Sequence, residues 1–559
     1  MPRAAHSNRP SVPPGTDDVD AAPDAVPPAP APATLREKLS AGRFVAVVEL
    51  VPWRGTIEDE GGRKALALAA GLAADPRIDA VSVTDNAGGH AMASPEVLAR
   101  ELRSQGQEAI IHVACRDRNR NELLSLGWRL ASAGFENLLC LSGDYPVEGY
   151  GGIARPVFDV DSVALLKLFT DLNNGRWPAD APAGGHGAGT ASAPTRFHLG
   201  AVVSPFKRHE RELVPQYLKL VMKVREGAQF VITQVGYDAR KNDELLRWMA
   251  LHDLRVPVLF NSFVLTRTVA RLFHDGKIPG CTVSDGLLEV CERAGASPDK
   301  GKAFFRELAA RHVAIARGIG YAGIYLGGAM RYEDYAAILD LAATYGPDDW
   351  RTFARELCWP HRGEFYYLEQ DPATGLASDQ VNRRYLASLS SAGRGRLRRR
   401  TGLVYRFDRL VHDVAFTPGT AGFRLGARAY GAAERFHLMG PAHAFEEIAK
   451  LPLFDCRDCG DCSLPDIAYL CPESQCAKNQ RNGPCGGSLD GECEVPGKPC
   501  IWAVAYERLK AYGEEARMLD RPAVVTDNAL RRTSAWANSF LERDQIARRT
   551  RQQTAQAGE

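Results

Sequence analysis

Eight of the thirteen cysteines fall within 45 residues: Cys456, Cys459, Cys462, Cys471, Cys476, Cys485, Cys493 and Cys500. The first three form C-x-x-C-x-x-C in FDCRDCGDCSLPDIAYLC. Thiolates two residues apart on a tight turn can wrap one metal centre. Ferredoxin ligand runs open in this way, but the C-x-x-x-C-P continuation is missing, and a Cys-Pro pair arrives only at Cys471-Pro472. Eight thiolates equally suffice for two four-thiolate zinc sites. Spacing alone leaves iron–sulfur clusters and zinc both open and pairs no ligand with a site. Disulfides are the third reading, and they need an oxidising compartment.

A second group of chemically capable residues stands where apolar runs end. Glu49 closes VAVVELVP, Thr84 and Asp85 follow in SVTDNAGG, and His112 lies inside IIHVAC. Asp144 follows in LSGDYP, Ser204 and Lys207 in AVVSPFK, and Gln234 and Asp238 in ITQVGYD. A carboxylate at a strand end often caps the next helix, a lone His is more often a satisfied core residue, and Gln234 also reads as a structural hydrogen-bonder. Glu49 is harder to reduce to structure, because it sits within an apolar run. A buried carboxyl needs a partner or stays protonated, and a protonated carboxyl can donate its proton.

The elements that must position these groups are apolar strand-like runs at 44–51, 79–84, 108–115, 136–142, 197–204, 229–234, 257–260 and 322–327, separated by amphipathic helical segments. Continuous apolar runs suit parallel strands buried on both faces. Eight β/α repeats predict a (β/α)8 TIM barrel, whose active site lies at the C-terminal strand ends; a doubly wound open sheet is the competing architecture. The chain divides into a Pro/Ala-rich disordered tail (1–33), the barrel (34–349), a connector (350–445) with an arginine cluster at 394–402, a small cysteine-rich metal-binding module of helices and loops (446–515), and a polar tail (516–559). The Gly/Ala/Pro-rich stretch 175–196 reads as a loop insertion dispensable for chemistry. The arginine cluster reads as a solvated connector face rather than an acidic-partner site.

Lys+Arg number 69 against Asp+Glu 68, so charge predicts neither nucleic-acid nor membrane binding. No apolar run reaches a membrane span and the N-terminus has no signal-peptide core, so the expected compartment is the cytoplasm, where thiols stay reduced. No G-x-S-x-G, no P-loop and no G-x-G-x-x-G after the first strand occurs.

The segments VELVP, DAVSVTDNAGG, IIHVACRDRNRNEL, LLCLSGDYP and REGAQFVITQVGYD resemble, in order, the 5,10-methylenetetrahydrofolate reductase family. The resemblance implies a barrel that binds FAD and a folate, with NAD(P)H as a possible donor of the hydride that the flavin passes on. It implies that Glu49 is the general acid that protonates the folate nitrogen, and that Asp144 binds pterin and tunes the flavin. Gln234 would contact substrate. Thr84, Asp85, His112, Ser142, Gly143, Phe158, Asp159 and Lys223 match cofactor-contacting positions. Two departures stand out: Ser142 replaces an arginine of the family pattern, and Ser204 replaces a flavin-facing tyrosine.

The cysteine stretch with its trailing CIWAVAYERLK resembles the C-terminal module of some of these reductases and the iron–sulfur-associated small subunit of acetogen-type ones. A ferredoxin or flavoprotein donor and a homo-oligomer are implied as possible partners. The expected function is flavin-dependent reduction of methylenetetrahydrofolate to methyltetrahydrofolate, or its reverse. The alternative is a non-redox folate-binding or methyl-transfer scaffold whose module recruits a partner protein.

Overall fold

Eight strands, β1 (Val45–Leu50), β2 (Ala80–Val83), β3 (Ala109–Ala114), β4 (Asn137–Leu141), β5 (His198–Val203), β6 (Phe230–Thr233), β7 (Val258–Phe263) and β8 (Gly323–Gly327), close into one parallel barrel. Each pairs with the next, and β8 returns to β1 with Val47 opposite Tyr325. This computed structural model describes residues 33–176, 193–329, 331–518 and 521–557. The tail expected before residue 33 and most of the 175–196 insertion lie outside the described residues.

The strands read as unbroken apolar runs because both faces are covered, but their period of two still sorts the side chains. Val45, Val47, Ala80, Ile110, Leu139, Phe230, Ile232, Leu259 and Tyr325 pack together inside the barrel. Their neighbours Ala46, Val48, Val81, Ile111, Leu138, Val231 and Ile324 pack outward against the helices. The short helix Leu35–Ser40, held by a Thr34–Glu37 capping box, adds Leu35 and Leu39 to the interior cluster. Gly200 is required by this filling, because a Cβ there would stand 2.3 Å from the Phe230 ring.

Alternation therefore aims every second residue at the C-terminal rim inward. Glu49 follows Val47 on the inner face, His112 follows Ile110, and Gln234 follows Ile232.

Residues 350–445 are a folded part of the molecule. The antiparallel pair Leu368–Gln370 and Ala377–Val381 lies against the helix Ala239–Leu251. Tyr385 and Tyr405 join Leu464, Ile467, Trp502 and Tyr506 in a second core. The helix Ser391–Arg400 packs on the helix Ile501–Tyr512, where Arg398 lies over the Tyr512 ring at 5.0 Å, while Arg396, Arg399 and Arg400 are exposed. Ile501–Tyr512 in turn packs on the barrel helix Glu210–Arg225. Between Phe454 and Ile501 the chain has only short turns of helix, at Pro465–Ile467 and Pro472–Gln475. Among the described residues, no helix is long and apolar enough to cross a membrane.

Candidate active site and thiol centres

A cavity of about 270 Å³ lies at the C-terminal mouth of the barrel. Glu49, Thr84, Asp85, His112, Ser142, Gly143, Asp144, Lys223 and Gln234 all line it, drawn from six different strands and the segments that follow them. Burial pushes the Glu49 carboxyl above its ordinary pKa, opposed in part by the Tyr325 hydroxyl, which donates to Glu49 Oε2 at 2.9 Å. The same hydroxyl lies 3.4 Å from His112 Nε2, which is 2.8 Å from Ser82 Oγ. Burial pulls His112 down to about 4, so this imidazole is neutral at physiological pH. A hydrogen-bonded chain Glu49–Tyr325–His112–Ser82 thus crosses the barrel interior and orients the carboxyl.

Asp144 Oδ2 accepts from the Gly88 amide at 3.1 Å. Gly143 needs its positive φ of 83°, and a Cβ there would meet Ala114 and Arg116 at 3.1 and 3.2 Å. Asp85 is already engaged, accepting from the Ala114 amide at 3.0 Å and pairing with Arg118. Lys223 is brought down to about 7, by burial first and then by neighbouring Lys219. Thr84 Oγ1, Ser204 Oγ and Gln216 Nε2 line the cavity, are buried, and have no hydrogen-bond partner among the described residues. Buried polar atoms of this kind call for a polar guest.

Phe158 and Asp159 stand elsewhere. They line a separate recess with Asn119, Arg120, Thr526 and Asn528. Asp159 accepts from the Arg120 amide at 3.0 Å and from Asn528 at 3.1 Å, tying the barrel to the C-terminal tail.

Sequence reasoning missed that the cysteine-rich module enters the mouth. Lys478, Pro484, Cys485, Gly486, Gly487 and Glu494 form part of the cavity wall. Lys478 bridges Glu494 at 2.6 Å and the Gly143 carbonyl at 2.7 Å, and Glu494 Oε1 accepts from the Tyr145 amide at 2.8 Å. Lys219 donates to Gln480 Oε1 at 3.0 Å and to the Gly483 carbonyl at 3.1 Å, and Lys207 donates to the Gly486 and Ser488 carbonyls. Asp161 caps the helix Ser162–Asn173 and also accepts from the Arg481 and Asn482 amides at 3.1 and 2.8 Å.

The enclosed space, about 270 Å³, falls just short of the roughly 300–1,000 Å³ usual for small-molecule sites and takes one pterin or isoalloxazine ring system. The module segment 478–494 supplies part of the wall around it.

The eight cysteines separate into two sets in chain order. Cys456, Cys459, Cys462 and Cys471 surround one small recess. Cys476, Cys485, Cys493 and Cys500 form the other, each of Cys476, Cys493 and Cys500 having Cys485 as its strongest thiol neighbour. Burial pushes Cys462, Cys476 and Cys500 up to about 12, so without metal these thiols stay protonated. Each set has cations beside it. Lys450 Nζ is 3.8 Å from Cys462 Sγ, and Lys207 and Lys219 face Cys485. Zn–S bonds of about 2.3 Å hold four thiolates about 3.8 Å apart. Among the described residues, no three of these sulfurs lie within 4.8 Å of one another. Cys462→Ser and Cys485→Ser should each remove about half of the bound metal, because each breaks one four-thiolate set. Metal analysis of the two purified variants checks this, and loss of all metal from either would contradict two independent sets.

The fold is a closed parallel TIM barrel, with a buried acid and unpartnered polar atoms at the C-terminal mouth, where barrels of this architecture carry their sites. The family model described as methylenetetrahydrofolate reductase matches residues 35–314, and one described as methylene-tetrahydrofolate reductase C terminal matches residues 440–528. The chain belongs to the methylenetetrahydrofolate reductase family. No curated protein matches it. Among solved structures, an uncharacterized protein from Clostridium thermocellum, described as binding two copies of 5-methyl-5,6,7,8-tetrahydrofolic acid, is 15% identical; the match covers 55% of this chain and 97% of that one, with a TM-score of 0.39.

Proposed function

We propose that this protein reduces 5,10-methylenetetrahydrofolate to 5-methyltetrahydrofolate, or runs the reverse, in one-carbon metabolism. The observation that carries the reading is Glu49, a buried carboxyl biased toward its protonated form, sharing one cavity with Asp144 and Gln234. Glu49 gives its proton to the nitrogen that leaves the methylene bridge. The C–N bond breaks with its electron pair staying on that nitrogen. The remaining iminium carbon takes up two electrons and a proton, together a hydride, and becomes the methyl group; the flavin of the family would supply that hydride when bound, and water reprotonates Glu49. Tyr325 holds the carboxyl in place, while Asp144 and Gln234 bind the pterin edge.

FAD, which the family resemblance brings with it, would be held at its ring by residues lining this cavity, among them Thr84, Gly143 and Lys223, with NAD(P)H as a possible donor of hydride to it. The module segment 478–494 stands beside that site and offers a second route, reducing equivalents arriving through the module. Cys485 is itself part of the cavity wall, so an iron–sulfur centre on its set would lie beside the reacting groups. A ferredoxin or flavoprotein is then the donor class.

The test supplies full-length protein anaerobically with 5,10-methylenetetrahydrofolate and reduced methyl viologen. Enzyme-dependent 5-methyltetrahydrofolate, with two electrons consumed per product, is expected. Tight folate binding without any reduction would instead support the scaffold reading.

A further inference from the structure

The C-terminal module brings a half-satisfied carboxylate into the barrel mouth. Lys478 and Glu494 both line the cavity, and their side chains are 5% and 3% exposed. Glu494 Oε1 is fully used, taking the Lys478 ammonium at 2.6 Å and the Tyr145 amide at 2.8 Å. Glu494 Oε2 is buried and has no hydrogen-bond partner among the described residues. Its place on the wall is marked by Gly487, another lining residue, where any Cβ would collide with that oxygen.

The oxygen is also held in position. The two bonds to Oε1 fix the plane of the carboxylate. Lys478 donates in addition to the Gly143 carbonyl at 2.7 Å, and Ser142 and Lys219 both donate to Gln480 Oε1, at 3.1 and 3.0 Å. A buried acceptor without a donor is costly, so a fixed one marks the place for a donor from outside the chain. A metal ion is a poor candidate, because the Lys478 ammonium already sits on the same carboxylate and would repel it. What is missing is one neutral N–H or O–H. The enclosed space takes one fused ring system, and pterin and isoalloxazine both carry a ring N–H flanked by a carbonyl.

We infer that Glu494, carried by the module, is a ligand-binding residue of the barrel site, and that its Oε2 accepts the ring N–H of a bound pterin or isoalloxazine. The inference rests on the folate reduction proposed above for the identity of the ligand. It makes the module part of the binding site itself, whatever its part in delivering electrons. Ligand and docked segment then stabilise one another, and each must strengthen the other's hold.

Glu494→Gln in the purified full chain tests this. Lys478 and the Tyr145 amide are both donors, so they keep the Gln carbonyl on their side and place its NH2 group where Oε2 was. A donor then faces a donor. Calorimetric titrations with 5-methyltetrahydrofolate and, separately, with FAD are expected to show at least one of the two binding about 10–100-fold more weakly. The one that weakens more carries the N–H. Metal content should be unchanged. That ligand should slow hydrogen exchange at residues 485–494 in wild type and fail to do so in the variant. Gly487→Ala, whose Cβ displaces Oε2, should reproduce the loss, and it decides the matter if the Gln variant does not fold. Wild type that binds, with both variants binding both ligands equally tightly, overturns the inference alone and leaves an ordered water as the partner of the oxygen. Wild type that binds neither ligand overturns the proposed function, and this inference with it.

Discussion

Glu49→Gln lowers the rate of folate reduction by about 10²–10⁴-fold, the contribution of a positioned general acid. Gln keeps an oxygen for the Tyr325 hydroxyl, so the cavity keeps its shape and pterin affinity changes little. The pH dependence separates this from a structural effect. Burial raises the Glu49 pKa, so the acid form is present at low pH and is lost as pH rises through the raised value. The rate should fall along that limb in wild type, and the limb should be absent from the variant. Stability follows the same direction with pH. A carboxyl whose folded pKa is raised contributes stability below its unfolded pKa, and that contribution disappears as pH rises through the folded one. At neutral pH the Gln variant, with no charge to bury, should therefore unfold no earlier than wild type. A loss below tenfold in single-turnover reduction, or an unchanged pH limb, would remove Glu49 from the role.

Asp161→Ala should open the barrel mouth. This carboxylate accepts five hydrogen bonds: two from the Val163 and Ala164 amides of its own helix, and three from the Arg481 amide, the Asn482 amide and the Asn482 side chain. Removing it leaves buried donors unpaired on both sides of the contact, at a cost of about 3–5 kcal/mol. The helix keeps most of its own bonds, so the larger share falls on docking of the segment 478–494. Hydrogen exchange at Arg481 and Asn482 should accelerate by at least about 100-fold, with barrel strands unaffected.

The barrel was legible because strand burial on both faces leaves eight apolar runs that nothing else in the chain imitates. The burial of Glu49 at the mouth was legible for a related reason: a carboxyl inside such a run is hard to reduce to structure. Tyr325 was missed although AGIYLG carries the signal, since its ring falls on the inward side of β8 two residues from Gly323. Phe158 and Asp159 came from resemblance alone, and the structure places them in a different recess. The entry of Lys478–Glu494 into the mouth had no local signature. It depends on contacts with residues some 260 to 350 positions earlier, such as Lys219 with Gln480 and Tyr145 with Glu494, which no spacing rule encodes. The division of the cysteines into two sets is tertiary in the same way.

The module that lines the mouth belongs to the same polypeptide as the barrel it closes. Residues 350–445 join the two as a folded connection, so docking of the module on the barrel is an intramolecular step. Assembly of the mouth is then independent of dilution. At the nanomolar concentrations of an enzyme assay, where separate subunits of modest affinity would fall apart, Cys485 and Glu494 still form its wall, and each barrel is matched by one module without any balance of expression.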